Sequence, residues 1–259
     1  MSHPLKSVSP RFSAVALGLA LILVLAASVV AAAAGTPTEA PKLELPTYTI
    51  LRTPQPITID GVLDESIWSR LQTMHFTWCN GHPAVFETEA KACWDDEYLY
   101  IAFSCVDNDI WGTYTKRDEP LYLEEVVEVF LNPTNDLRHY FEFEVSPRNV
   151  IWDGRIIHTG DRYKGDTRWD ATGLRTGVRV VGTLDDRTDI DQSWTVEMAI
   201  PFFSIAKTPV DGERWRGNLY RIDRGKVVEH SCWSPTASET PAFHVPWRFG
   251  HLVFSTKNG

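Results

Sequence analysis

Several signatures are absent from the 259-residue chain. It has no GxSxG elbow, so a hydrolase triad of that type lacks its nucleophile turn. There is no P-loop, no GxGxxG and no HExxH, which removes the usual phosphate cradle, dinucleotide fingerprint and helical zinc-protease site. No dense Lys/Arg cluster accompanies the net charge of −9, so nucleic acid is not expected as a partner. Beyond residue 34 no apolar run approaches membrane-spanning length, and no long 3.6-residue periodicity is sustained. The four cysteines (Cys79, Cys93, Cys105, Cys232) do not have zinc-site spacing.

What is there begins with a segment that should not count towards the fold. Lys6 and Arg11 precede an apolar run from Ala14 to Val30, followed by four alanines and Gly35. A basic start, an apolar core and a small-residue end predict a signal peptide over residues 1–34, with an uncleaved anchor as the alternative. The chain is therefore expected to be secreted, periplasmic or cell-surface, with no membrane contact beyond that segment. Residues 35–46, rich in Pro, Thr and Ala, read as a linker. Residues 47–259 are long enough for one large domain with its own core.

That domain reads as strands. Glu89–Val106 alternates on both sides of a turn at Asp95-Asp96-Glu97, and Leu174–Val181, Trp194–Ile200, Trp215–Asp223 and Phe249–Phe254 alternate as well. About ten short strands with turn punctuation predict an all-β fold, a two-sheet antiparallel β-sandwich of jelly-roll or immunoglobulin-like type. Ile57–Trp68 reads as a strand, an Asp-Gly turn and a helical turn capped by Asp64, with Trp68 as an anchor. Of three full cysteine pairings, one involving Cys93 with Cys105 is disfavoured, because alternation puts them on opposite faces of their hairpin. Buried free thiols are the alternative for all four.

The stretch with the most chemical information is Glu124–Val145. Two alternating runs flank Asn-Pro-Thr-Asn-Asp and predict a hairpin. Val127, Val129 and Leu131 share one face with Phe141, Phe143 and Val145 opposite them. Val126, Glu128, Phe130, Tyr140, Glu142 and Glu144 fall on the other face. A loop centred near Asn135 sets Glu128 across from Glu142, and like charges opposed in a ladder need compensation. Three readings follow: a retaining glycosidase using both as nucleophile and acid/base, carboxylates bonding sugar hydroxyls, or a solvated face neutralised by Arg117, Arg148, Arg155 or Arg221. Asp60 and Asp64, and Asp107 and Asp109 in the loop after the first hairpin, are weak calcium candidates; no cofactor is otherwise required.

The ordered set IDGVLDESIW (59–68), KACWDDEYLYIAFSCVD (91–107), VVEVFLNP (126–133), NLYRID (218–223) and CWSP…FHVPWRFGHLVF (232–254) resembles the family 9 carbohydrate-binding modules, within the DOMON-like β-sandwiches. The resemblance implies a non-catalytic sandwich that clamps a sugar ring, or the reducing end of a chain, between two aromatics. By position it puts the clamp on Tyr122 and Phe243 and the hydroxyl-bonding glutamate on Glu128. Glu142 falls where some relatives carry arginine. Arg117 and Arg221 are the candidates to restore positive charge, and Trp111 or Trp233 the candidates for a further platform. The expected partner is a carbohydrate, alongside other components of a polysaccharide-degrading system. Related sandwiches also bind haem, for which His244 with Met74 or Met198 would be the axial pair.

Overall fold

Alternation of apolar and polar side chains makes this chain a sheet protein. The computed structural model describes residues 44–238 and 240–258, so the expected signal peptide and most of the linker lie outside the described residues. The strands are β1 (Thr47–Arg52), β2 (Met74–His75), β3 (Thr77–Trp78), β4 (Thr88–Trp94), β5 (Tyr98–Val106), β6 (Val126–Asn132), β7 (His139–Val145), β8 (Ile151–His158), β9 (Tyr163–Asp166), β10 (Arg175–Val181), β11 (Ser193–Pro201), β12 (Arg214–Arg224), β13 (Val228–Cys232) and β14 (Gly250–Asn258). One helical turn, α1 (Phe202–Ile205), follows Pro201 at the end of β11.

Hydrogen bonds run through the strands in the order β10-β11-β5-β4-β1-β14-β12-β6-β7-β8-β9. The expected sandwich is present, with one correction to its antiparallel character. β1 pairs in parallel with β14 and, through Leu51 and Arg52, in parallel with β4. A register shift between Leu51 and Arg52 lets one short strand hand its hydrogen bonds from one half of the sheet to the other.

The two halves bury one apolar core. Ile101 and Phe103 of β5 and Val196 and Met198 of β11 meet Val127 and Val129 of β6, Phe143 of β7 and Leu219 of β12. Most of the tryptophan belongs to such packing: Trp94, Trp194 and Trp215 are among the largest fully buried side chains. A second cluster, with Trp68 and Cys93, covers the outer face of β4–β5–β11. There the Asp60-Gly61 turn lies on β10 so closely that a Cβ at Gly61, where φ is +84°, would come within 2.6 Å of Val178 backbone. Glu197 holds that turn, accepting from Asp60 N, Gly61 N and the Trp68 indole N–H at 2.9–3.1 Å.

A third cluster covers the outer face of β6–β7–β12: Val126, Phe130, Tyr140, Trp152, Tyr220 and Phe249, with Phe243 against them. This face carries the site.

Candidate functional site

The β6–β7 hairpin forms as expected, but its register differs by two residues. Glu128 lies opposite Glu144, and Glu142 lies opposite Phe130. The reason is the loop, which centres on Asp136 rather than Asn135. The Asp136 carboxylate accepts from Arg138 N, His139 N and Asn132 Nδ2 at 2.8–3.1 Å, while Asn135 and Leu137 take positive φ. The face assignment is unaffected, because a two-residue shift preserves alternation. Glu128, Glu142 and Glu144 therefore gather on the outer face, and each is at most 5% exposed.

Burial in apolar surroundings sets their chemistry. It is the largest influence raising Glu128, whose acidity is further suppressed by Glu144. Burial likewise raises Glu142, with Glu128 adding to it, and raises Glu144, with Glu142 adding both charge repulsion and a hydrogen bond. All three are raised well above the usual carboxylate range, which favours the protonated form. Each then offers an O–H donor as well as acceptor oxygens. His244, whose Nε2 is 4.0 Å from Glu142, is pushed down to about 3 by burial and the charge of His158. Its imidazole is neutral near pH 7, so this contact is no ion pair.

A groove of about 850 Å³ opens over these acids. Three segments build its walls. Tyr122 stands on the 3₁₀ turn Leu121–Leu123 and is 49% exposed. Tyr163, at the start of β9, is 54% exposed and stacks on His244 with ring centroids 3.5 Å apart. Phe243 and Trp247 come from the segment before β14. One face of Phe243 rests on Tyr220 at 4.2 Å, and Trp247 is 52% exposed with its ring against His158. Buried anchors hold the wall: Tyr140 OH meets His244 Nδ1 at 2.7 Å, and Tyr220 OH donates to Phe243 O at 2.8 Å. A second depression of similar size on the other side of the β8–β9 hairpin is lined by the exposed ion pairs of Asp166 with Arg155 and Arg168. It does not gather buried acids.

Of the eight ligand-binding candidates, Tyr122, Glu128, Glu142 and Phe243 line the groove. The other four do not, each for a packing reason. Arg221 is 1% exposed and spans Asp107 (2.7 Å) and Asp223 (2.9 Å) on the opposite face of β12 from Tyr220, where adjacent residues must point apart. Burial, then the charges of Asp107 and Asp223, pushes neighbouring Glu125 up to about 10. Arg117 is spent on the buried Asp153 and on Asp170. Trp111 donates to Arg224 O at 3.1 Å and lies under Arg187 in a separate small depression. Trp233 packs in the main core, against Tyr48 and so near Gly250 that a Cβ there would meet it at 2.5 Å. The arginine that does line the groove is Arg224, whose Nη2 donates to Tyr122 O at 3.3 Å.

The calcium candidates fare differently from expectation. Among the described residues, Asp60, Asp64 and Asp109 join no group of three ligating side chains. Asp60 accepts from Val62 N as a turn residue, and Asp109 is paired with Arg187. The helical turn takes its hydrogen bonds from Glu65, which meets Thr58 N and the Trp68 indole. Asp107 does group with Glu125 and Asp223, but the Arg221 guanidinium already sits on two of these carboxylates. A divalent cation would be repelled by it, so this set does not fit calcium. Met74 and Met198 lie between the two halves of the sheet while His244 lies on the outer face, so no axial haem pair forms.

Glu144, Trp152, His158, Tyr163, Arg224, His230 and Trp247 also line the groove without having been singled out. Tyr163 lies between Gly160 and Gly165 in the β8–β9 hairpin, a stretch that lacks the alternation marking the other strands.

Three proteins show what the chain is similar to. It is 30% identical over 149 residues to exoglucanase XynX of Acetivibrio thermocellus, covering 57% of this chain but only 12% of that enzyme. The fold resembles a putative carbohydrate-binding protein of Bacteroides uniformis (TM-score 0.65, 18% identity, 82% of this chain and 100% of the other). It also resembles a family 9 carbohydrate-binding module of Caldicellulosiruptor kristjanssonii solved with cellotriose (TM-score 0.57, 16% identity, 82% of this chain and 95% of the other). Residues 59–257 match the family model described as carbohydrate family 9 binding domain-like, and the chain belongs to that family.

Proposed function

We propose that this domain binds the terminal sugar ring of a poly- or oligosaccharide, or its reducing end, without cleaving it. The observation that carries the reading is the groove itself: exposed Tyr122, Tyr163 and Trp247 rings stand around three buried carboxylic acids that no apolar core requires. A sugar ring has apolar faces suited to aromatic stacking and equatorial hydroxyls that both donate and accept. Neutral carboxyls match such hydroxyls better than carboxylates, which only accept. The cellotriose bound by the Caldicellulosiruptor module supports a glucose-based ligand.

The same electrostatics weigh against the glycosidase alternative. A retaining mechanism needs one carboxylate ionised as nucleophile beside one protonated acid, and here burial raises Glu128, Glu142 and Glu144 alike, which disfavours the ionised nucleophile. The basic, apolar and small-residue pattern of residues 1–34 supports export, which would put the domain beside polysaccharide-degrading enzymes. Titration calorimetry against glucose, cello-oligosaccharides and xylo-oligosaccharides tests the reading. Saturable heat without product release is expected; silence across the panel would refute it, and released product would favour the hydrolase.

A further inference from the structure

Cys79 and Cys232 lie on one face of the β3–β13 pairing, diagonal to one another, beneath the groove wall. β3 and β13 pair with Thr77 opposite Cys232, and the pairing continues past β3 where Cys79 N donates to His230 O at 3.3 Å. Both cysteines are buried in the outer-face cluster with Tyr220 and Phe249. The two thiols are close enough to shift one another's acidity in opposite directions. Cys79 also holds the segment that leads into Phe243: its carbonyl accepts from Ala237 N at 2.8 Å and from Thr236 Oγ1 at 3.4 Å. Cys93 and Cys105 provide the contrast, since they point into clusters on opposite faces of their hairpin.

We propose that Cys79 and Cys232 become joined by a disulfide that pins the turn after β3 to β13 and fixes the wall segment carrying Phe243. The oxidant is a disulfide compound. The Cys79 thiolate attacks one of its sulfurs, forming a mixed disulfide and releasing one thiol. Cys232 then gives up its proton and displaces the second thiol, so two electrons and two protons leave the pair. Contact with Cys232 lowers the Cys79 thiol and raises that of Cys232, which makes Cys79 the attacking sulfur. Both sulfurs are shielded in the folded domain, so exchange belongs to a late stage of folding, after β3 and β13 have paired and before the wall closes.

The test is oxidative refolding of the full chain from denaturant with glutathione disulfide, followed by alkylation under denaturing, non-reducing conditions and peptide mapping. Alkylation of Cys93 and Cys105 alone, with a peptide linking Cys79 to Cys232, is expected. Reduction should lower Tm by roughly 5–10 °C, because the crosslink closes a loop of about 150 residues. It should also speed hydrogen exchange at the Ala237 amide. A Cys93→Ala/Cys105→Ala variant should keep both responses and Cys79→Ser should lose them. Four alkylated cysteines after refolding, or a link to Cys93 or Cys105, would overturn the proposal. None of these readouts depends on sugar binding.

Discussion

Replacing Glu144 by glutamine should stabilise the domain near neutral pH and leave it within about 1 kcal/mol of the parent near pH 4. Glu144 is 1% exposed, lies opposite Glu128 in the ladder and meets Glu142 beside it. Burial and these neighbours hold its acidity far below that of a free glutamic acid. In the unfolded chain the same group ionises above about pH 4.3. Above that pH folding must take up a proton, so its stabilising contribution is complete below pH 4.3 and shrinks as pH rises. The loss is about 1.4 kcal/mol per pH unit for as long as the folded group stays protonated. From pH 4.3 to 7 the ceiling is roughly 4 kcal/mol for this one side chain. Glutamine has nearly the same shape, both donates and accepts, and never ionises. Allowing about 1 kcal/mol for an imperfect replacement of the contact with Glu142, the net gain at pH 7 is roughly 1–3 kcal/mol, a Tm increase of roughly 2–10 °C for a domain of this size. Differential scanning calorimetry of both proteins between pH 4 and 8 should show curves that converge at the acid end and diverge upward. A variant that is less stable at pH 7 by an amount independent of pH would refute the reasoning, since it would mean that Glu144 is ionised and held by a partner.

Other perturbations separate the groove from its scaffold. Tyr163→Ala removes a half-exposed ring and should weaken sugar affinity at least tenfold, about 1.4 kcal/mol, with little change in Tm; calorimetry beside a melting curve checks both. Arg221→Met should destabilise by about 3–5 kcal/mol in urea unfolding, because Asp107 and Asp223 lose the charge buried between them. If Arg221 instead served the ligand, the variant would keep its stability and lose affinity. Gly61→Ala should lower stability by more than about 1 kcal/mol, since positive φ and the contact with Val178 backbone both resist a Cβ; an unchanged urea midpoint would contradict that packing.

Much of the fold is local and could be read in order. The Asp95–Glu97 turn and the two faces of β6 and β7 follow from alternation and turn chemistry, which act over a few residues. The resemblance placed Tyr122, Glu128, Glu142 and Phe243 in one groove, because aligned motifs carry their positions with them. Arg117, Arg221, Trp111 and Trp233 were misplaced because residue type says nothing about which partner claims a side chain first. Buried Asp153 and the Asp107–Asp223 pair take the two arginines, and the main core takes Trp233.

Period-two alternation determined by itself that this is a two-layered β protein, and that the glutamates of β6 and β7 share a face away from the core. Only the tertiary structure decided that Glu128 meets Glu144, that the β8–β9 hairpin brings Tyr163 to the rim, and that Cys79 reaches Cys232. The physical reason is range. Alternation is written into neighbouring residues, whereas a groove, a buried ion pair and a thiol contact depend on how segments far apart in the chain share one limited volume.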